Sequence, residues 1–250
     1  MPIDQAPMPG LTLEHWSRKP QLPSKVIAIA VGDQPLCVVD RDEARPQVFP
    51  PGWQGLLAFR SNVTVIEGNA RILPLMLVGL VKLQMFIDQA MPSGVIPESQ
   101  SLASLAVPPD SLSTDKALEH WYIAQTLSAG PDAQAFADLL RQGENYRLLH
   151  FLLNQGASSE KLGFLARRYG VSVSHFRRLC HHALGGAAKP EMREWRTAQA
   201  LLAMTKGKQS LTDVALEFGF ASSSHFSKEI RKLVGVKPSS LIDITRLSSK

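Results

Sequence analysis

Cysteine is scarce in this sequence, with two among 250 residues, Cys37 and Cys180. Two cysteines so far apart cannot form the dense disulfide framework of small secreted proteins, so a reducing cytoplasm is the expected location. Long apolar runs are also missing, since the longest covers residues 72–81 and ends at Lys82. A membrane-spanning helix needs about 20 apolar residues. The run therefore predicts a buried helix, and we expect no membrane partner.

The chain also lacks the residue patterns of secretion and catalysis. Its start, MPIDQAPMPG, has no basic stretch followed by an apolar core, so we expect no signal peptide. The segment 170–174, GVSVS, lacks the glycine that follows the serine in a nucleophile elbow, and no Asp/His partner pattern accompanies it. These absences predict a protein that is not an enzyme and that needs no cofactor.

Charge is distributed unevenly along the chain. Residues 143–250 carry a net charge of +9 and residues 1–142 carry −4, which together give the overall +5. A basic half joined to an acidic half is typical of a protein whose basic part contacts a polyanion such as nucleic acid. Charge alone leaves a plain solvated surface as an equal alternative.

The N-terminal half predicts a small β-rich region. Residues 1–24 are rich in Pro and Met and have no periodicity, which predicts a flexible tail. Four short β-like runs separated by Asp, Gly and Pro predict a small antiparallel sheet or partial barrel. These runs are 25–32, 35–40, 55–60 and 63–68.

The pattern becomes helical from Pro74 onward. The segment 74–91 is apolar on nearly every side, which fits either a core helix or a surface for a dimer partner or chaperone, because both would bury the same residues. Residues 92–111, with four prolines, predict a linker or an exposed connection. Further helices are expected at 114–128, 131–142 and 144–154.

The C-terminal part contains one pattern twice. YGVSVSHFRRLC at 169–180 returns as FGFASSSHFSKEI at 218–230. The extra residue of the second copy falls in the turn, where GVS becomes GFAS, so both helix faces stay in phase. Two copies of one folding unit, at about 160–185 and 210–235, explain this arrangement.

The predicted inner faces follow helical spacing in both copies, and a glycine, Gly170 or Gly219, ends the first helix of each. The inner positions are Leu162, Leu165, Ala166, Tyr169, Phe176, Cys180, Ala183 and Leu184, matched by Leu211, Val214, Ala215, Phe218, Phe226, Ile230, Leu233 and Val234.

A helix, a glycine-bearing turn and a second helix form a helix-turn-helix unit, whose second helix can enter the major groove of DNA. Arginine reads guanine with two hydrogen bonds. The first unit should therefore read bases more sharply, whereas the second should depend more on phosphate and shape contacts. The predicted DNA-binding residues are Ser174, Arg177, Arg178, His181, Ser223, Ser224, Ser227, Lys228 and Arg231.

The segment 188–204 predicts a linker helix between the units, with Met192, Trp195, Gln199 and Leu202 on one side. Its length, at 1.5 Å per residue, is about 25 Å. Successive major grooves on one face of a duplex lie about 34 Å apart. One chain is therefore expected to read two successive major grooves.

Residues 143–250 resemble the DNA-binding domain of AraC/XylS-type transcription regulators. The second copy, LTDVALEFGFASSSHFSKEIRKLVGVKP at 211–238, carries the family residues Ala215, Gly219, Phe220, Ser224, Phe226, Gly235 and Pro238. Ile230 and Cys180 stand where the family usually has Phe. Both are apolar, so the core is expected to be kept.

Residues 145–155 and 169–202 look like the subgroup of this family that activates type III secretion genes. The resemblance implies a sequence-specific activator of virulence genes that binds double-stranded promoter DNA and works with RNA polymerase. It also implies a secretion chaperone as coactivator, bound by a regulatory or partner-binding domain at 25–142. A homodimer is left open. The implied fold is α+β, with a β-rich region and helices before an all-α domain of two helix-turn-helix units.

Histidine and cysteine near the first unit invite a metal site. The spacing of Cys180, His181 and His182 does not suit chelation from one helix face, so a core cysteine beside exposed histidines is the preferred interpretation. His175 and His225 each follow a serine near a helix start. They are interpreted as structural or phosphate-facing residues of the first turn and not as acid–base groups.

Two other functional classes stay open from the sequence. A protein-interaction module or anti-activator would keep the fold and bind DNA weakly, with an affinity that salt removes. An enzyme with a helical appendix would need a chemistry in residues 25–90 that no motif indicates.

Overall fold

The computed structural model describes residues 25–40, 46–60, 63–91, 100–155, 161–206 and 209–238. The chain divides into two compact units, residues 1–147 and residues 148–250. Sheets and helices form the first unit, whereas the described part of the second is helical. The α+β fold predicted from the sequence is confirmed. The predicted tail at 1–24 lies outside the described residues.

Seven strands of the first unit form two antiparallel sheets, ordered β6-β1-β4-β7 and β3-β2-β5. The four runs predicted as strands correspond to β1, β2, β4 and β5. The strand bounds are β1 (Lys25–Val31), β2 (Leu36–Asp40), β3 (Pro46–Phe49), β4 (Gln54–Phe59), β5 (Val63–Glu67), β6 (Ala70–Ile72) and β7 (Leu102–Ala106).

One apolar core joins the two sheets. Ile29 and Leu57 enter it from the four-stranded sheet, and Leu36 and Val38 enter it from the three-stranded sheet. Inward residues on β2 alternate with half-buried ones, which is the two-residue period of a strand with one face toward a core. This shared core explains why such short strands are stable together.

The prediction of a linker or exposed connection at 92–111 is wrong for its second half. Residues Leu102–Ala106 form β7, which pairs with β4 from Leu102 opposite Phe59 to Ala106 opposite Gly55. The sequence LASLA has few β-branched or aromatic residues, so its own strand preference is low. Long-range pairing and burial decide its conformation.

Three helices and the first turn of a fourth complete the first unit, beginning with α1 (Val78–Ala90), four residues later than predicted. Thr114 caps α2, because its hydroxyl accepts a hydrogen bond from the Ala117 amide at 3.1 Å. The remaining bounds are α2 (Asp115–Leu127), α3 (Pro131–Gln142) and α4 (Glu144–Asn154), with a short 3-10 helix at Pro109–Leu112.

Of the two interpretations of helix α1, core or partner surface, its buried face fits the core. Leu80, Val81 and Met85 are buried there, and α1 contacts α2 and α3. Phe86, on another side, is 37% exposed. No helix within the described ranges is long and apolar enough to span a membrane.

A polar network that the sequence did not reveal holds the helices of this unit together. Arg141 donates hydrogen bonds to both carboxylate oxygens of Asp88, at 2.9 and 2.7 Å, and the Tyr146 hydroxyl donates another at 2.6 Å. Gln84 also donates to Asp88 and accepts a hydrogen bond from Tyr122. Burial opposes ionisation of Asp88, but these donors and the Arg141 charge hold its pKa below the usual value.

The second unit contains the remainder of α4, from Leu148 onward, and five further helices. Helix α7 contacts α6 of the first helix-turn-helix unit and both helices of the second, α8 and α9. The bounds are α5 (Leu162–Tyr169), α6 (Val173–Leu184), α7 (Ala188–Lys206), α8 (Leu211–Glu217) and α9 (Ser223–Val234). The predicted linker helix is thus present and extends slightly beyond 204.

The same turn closes both helix-turn-helix units. Gly170 and Gly219 have φ angles of +85° and +69°, a conformation in which a side chain is strained. The next amide then bonds back five residues, from Val171 to Ala166 at 3.1 Å and from Phe220 to Ala215 at 2.8 Å. This matching geometry shows that the two copies are one structural unit repeated.

Serine caps the second helix of each unit. The hydroxyl of Ser172 accepts a hydrogen bond from the amide of His175 at 3.3 Å, and Ser222 accepts one from His225 at 3.1 Å. A serine at this position stabilises a helix by about 1 kcal/mol. Each cap fixes where the second helix begins, and therefore which residues share its exposed face.

Candidate DNA-binding site

Helix α6 has one buried face and one exposed face. Phe176, Cys180, Ala183 and Leu184 are buried, as predicted. The aromatic rings of Phe151 and Tyr169 lie 6.3 and 5.6 Å from the ring of Phe176. These contacts fix the rotation of α6 about its axis, because turning the helix would expose Phe176 to water.

The four predicted DNA-binding residues of α6 all lie on its exposed side. Ser174, Arg177, Arg178 and His181 follow the spacing of 3, 4 and 7 residues that brings side chains onto one helix face. The Ser174 hydroxyl lies 3.2 Å from the hydroxyl of Ser172. The face therefore presents two arginines to solvent, with a small hydroxyl at one end and a histidine at the other.

Helix α9 is held by a separate core. Phe226 and Ile230 are fully buried with Val214 and Ala215 from α8, and Ala200 from α7. Ile230 therefore fills the position where the family usually has Phe, as Cys180 does in the first unit. Burial raises the pKa of the Cys180 thiol to about 11, so it stays protonated.

The predicted DNA-binding residues of α9 are less uniformly exposed. Ser224, Lys228 and Arg231 are exposed, whereas Ser223 and Ser227 are half-buried. The Ser227 hydroxyl donates to the Ser223 carbonyl at 2.8 Å. Because the Ser227 hydroxyl already donates its proton within the helix, it can only accept a hydrogen bond from a base. Ser224 could both donate and accept.

The two first-turn histidines have different surroundings. The His225 ring lies 5.8 Å from the Phe220 ring, and its Nε2 atom is 3.7 Å from a Glu229 carboxylate oxygen. His175 is half-buried, with its backbone amide in the serine cap. The backbone amides of both histidines lie in the serine caps, and their interpretation as structural or phosphate-facing residues of the first turn stays a prediction.

Arg196 is a residue of interest that sequence reasoning missed. It lies on α7 with its guanidinium carbon 5.0 Å from the centre of the Phe220 ring, and that ring lies 4.7 Å from Phe226. Burial lowers the pKa of Arg196, and the nearby Arg193 charge lowers it further. The sequence showed only an arginine between Trp195 and Thr197 in a predicted helix, and both neighbours are buried in the structure.

Helix α7 spans 19 residues, or about 28 Å. Along the side predicted from the sequence, Trp195 is buried and Met192 and Gln199 are half-buried, but Leu202 is 56% exposed. Ala200 and Met204 supply the contact with the second core instead. This helix contacts α6 as well as α8 and α9, so it connects the two helix-turn-helix units.

Known proteins resemble this chain both in the second unit and over most of its length. A helix-turn-helix domain family model covers residues 165–243. Invasion protein InvF of Salmonella typhimurium is 38% identical over 201 residues, which cover 79% of this chain and 93% of that protein. Transcriptional regulator MxiE of Shigella flexneri is 32% identical over 143 residues, covering 56% of this chain and 68% of that one.

The chain belongs to the AraC/XylS-type family of transcription regulators. The resemblance inferred from the repeated units is thereby confirmed, and this regulator is not an enzyme. A solved structure of ToxT from Vibrio cholerae is 11% identical over 87% of this chain and 89% of that one, with a TM-score of 0.38.

Proposed function

We propose that this regulator activates transcription of type III secretion and other virulence genes by binding their promoter DNA. Two observations support the proposal. The similarity to InvF extends over nearly all of that protein and is not limited to the helix-turn-helix part. In addition, a protein named as a virulence regulon transcriptional activator, VirF of Yersinia enterocolitica, is 31% identical over 93 residues.

Base reading is assigned to the exposed faces of α6 and α9. In the first unit Arg177 and Arg178 donate hydrogen bonds to guanine, and Ser174 and His181 lie at either end of the same face. In the second unit Lys228 and Arg231 lie against phosphates, while Ser224 contacts base edges. One chain carries both faces, so two successive major grooves can be read without a homodimer.

Residues 25–142 are assigned to regulation and partner binding, and residues 143–250 to DNA. In the three-stranded sheet both edge strands expose a large apolar side chain, Val48 on β3 and Ile66 on β5, each 63% exposed. Exposed edges with apolar side chains are sites where another protein can pair. We assign this surface to a type III secretion chaperone acting as coactivator, with RNA polymerase as the second protein partner.

In vitro transcription tests the proposal. The purified chain, RNA polymerase and a template carrying a type III secretion promoter are combined in the presence and absence of the chaperone. We expect transcript to rise with the chain and to rise further with the chaperone. The double variant Arg177→Ala/Arg178→Ala should give no activation.

An opposite result would identify another class of protein. If the wild-type chain binds the chaperone but leaves the transcript unchanged or lowers it, the chain is an anti-activator. If it activates equally on random templates, its DNA binding is not sequence-specific. Either outcome would contradict the assignment as a promoter-specific activator.

A further inference from the structure

Helix α7 carries three cations on one side, Lys189, Arg193 and Arg196, which we call the α7 stripe. Their spacing of four and three residues places them on one face of the helix. Lys189 and Arg193 are exposed, and Arg196 is half-buried. The acidic residues of this helix, Glu191 and Glu194, project about 100° or more away from the cations, because successive residues are about 100° apart. The stripe is therefore a narrow line of positive charge.

The two ends of the α7 stripe adjoin the two faces assigned to DNA. Lys189 borders one groove together with Arg177 and His181 of α6. At the other end, the guanidinium carbon of Arg196 lies 5.0 Å from the centre of the Phe220 ring, in the turn that leads into α9. The stripe therefore runs from the exposed face of α6 to the start of α9.

Little negative charge within the protein neutralises the stripe. None of its three residues forms an ion pair with another residue in the part of the chain that the structure describes. The Glu229 charge acts on Arg196, but the Arg196 Nε atom is buried and has no hydrogen-bond acceptor among the described residues. Burial lowers the pKa of Arg196, and repulsion by the Arg193 charge lowers it further. An anion that contacted both arginines would reduce this repulsion and accept hydrogen bonds from them.

We infer that the α7 stripe binds phosphates of one DNA strand where that strand passes between the two major grooves. From Lys189 to Arg196 the helix rises by about 10 Å. Each strand of a duplex carries one phosphate per about 3.4 Å of its axis, so about three phosphates occupy this length. Phosphate contacts fix the position of a protein on DNA without reading its sequence. The stripe thus holds the DNA between the two reading helices.

A DNA duplex fits the stripe better than an acidic protein does. A duplex that lies against α6 and α9 already passes both ends of the stripe, so no second partner is needed to neutralise it. An acidic protein in that place would repel the phosphates bound at the two faces. The inference rests on the proposed function, since it needs DNA on the faces of α6 and α9.

Removing two of the three charges tests the inference. Lys189→Gln/Arg193→Gln changes two exposed side chains, and circular dichroism checks that the fold is kept. The full chain is titrated with a type III secretion promoter fragment and with a random-sequence duplex, and fluorescence anisotropy is measured at several salt concentrations. The salt slope should fall by about 1.8 on both duplexes. The ratio of the two affinities should stay unchanged, because phosphates carry no sequence information.

Matched controls show whether the position of the charge matters. Lys116→Gln removes an exposed lysine from α2 in the first unit and should leave the salt slope unchanged. Glu194→Gln alters an exposed charge on another side of α7 and should also leave it unchanged. Lys189→Gln and Arg193→Gln alone should each lower the slope by about 0.9.

Phosphate ethylation interference locates the contact on the promoter fragment. Ethylation of phosphates between the two major grooves should weaken binding of the wild-type chain, because an ethylated phosphate has lost its charge. The same ethylation should no longer weaken binding of Lys189→Gln/Arg193→Gln. This measurement is independent of the salt slope and gives a second test of the same contact.

Three outcomes would overturn the inference. These are an unchanged salt slope in the double variant, an equal decrease in Lys116→Gln and Lys189→Gln, or ethylation interference that the double variant retains in full. A transcript that falls while the salt slope is unchanged would place a protein and not DNA on the stripe.

The stripe and the proposed function can fail separately. If the wild-type chain activates the promoter and the double variant keeps the wild-type salt slope, the stripe inference fails alone. If the slope falls by about 1.8 but the wild-type chain does not distinguish promoter from random duplex, the proposed function fails alone. A wild-type chain that binds neither duplex would contradict both.

Discussion

The two helix-turn-helix units share a backbone and differ in the chemistry that they expose. The Gly170 and Gly219 turns and the Ser172 and Ser222 caps match in geometry. The exposed face of α6 carries two arginines and a histidine, whereas α9 has hydroxyls, one lysine and one arginine at the corresponding positions. The repeat therefore preserves the turn and cap that position the second helix, whereas the exposed residues of that helix differ between the two units.

The units also differ at the far ends of their second helices. Ala183 and Leu184 are buried at the end of α6, whereas Leu233 and Val234, fifty residues later, are 38% and 41% exposed. The prediction that all repeated apolar positions face inward is thus wrong for this pair. The end of α6 leads directly into α7, and buried Ala188 lies at the start of that helix. Pro238, fifty residues after Ala188, is likewise helical and buried, so the start of the following segment does not account for the exposure of Leu233 and Val234.

The largest expected effect comes from the two buried phenylalanines. Phe176→Ala and Phe226→Ala should each lower the free energy of unfolding by about 3–5 kcal/mol, because each removes a fully buried ring. Phe164→Ala, 47% exposed in the same unit as Phe176, is the control and should cost less than about 1 kcal/mol. Urea denaturation followed by circular dichroism measures all three. An equal decrease in the free energy of unfolding for Phe164→Ala and Phe176→Ala would mean that Phe176 is not packed in a core as described.

The next effect separates base reading from phosphate binding. Arg177→Ala and Arg178→Ala should each cost about 1–3 kcal/mol with operator DNA and much less with random DNA. Lys228→Ala and Arg231→Ala should weaken both DNAs alike, and each should reduce the salt slope by about 0.9 because one phosphate is no longer neutralised. Fluorescence anisotropy at several salt concentrations measures both. If the arginine variants lower the affinity for the two DNAs equally, base reading does not reside on α6.

A smaller effect is expected from Arg196. Arg196→Met keeps an apolar stem but removes the guanidinium above Phe220, an interaction worth roughly 0.5–2 kcal/mol. Amide hydrogen exchange should therefore accelerate in α9 and stay unchanged in α6. Arg193→Met, exposed on the same helix, should change neither. Faster exchange in both units would show that α7 couples them into one cooperative body.

Local patterns predicted the second unit well because its structure follows short-range rules. Helical spacing, serine caps and turn glycines set the bounds of α5, α6, α8 and α9 within a residue or two. The strand β7, by contrast, depends on pairing with β4, and the hydrogen bonds between Arg141 and Asp88 join residues 53 positions apart. Nothing in the neighbouring sequence of either partner indicates such a contact.

The same contrast between local patterns and long-range contacts applies to the candidate site. The positions of Arg177 and Arg178 on an exposed face followed from helix periodicity, since their neighbour Phe176 had to be buried. The position of Arg196 against Phe220 could not be predicted from periodicity, because it depends on the packing of α7 against the turn between α8 and α9. Side-chain partners across elements are set by packing and not by spacing in one segment.

Hydroxyl-radical footprinting of the full chain on a promoter that it activates tests the two-groove account most directly. We predict two protected stretches on one face of the duplex, about one helical turn apart. In Arg177→Ala/Arg178→Ala one of them should weaken while the other persists. A single protected stretch at saturating wild-type protein, or loss of both stretches together with no change in fold, would contradict the reading of two successive grooves by one chain.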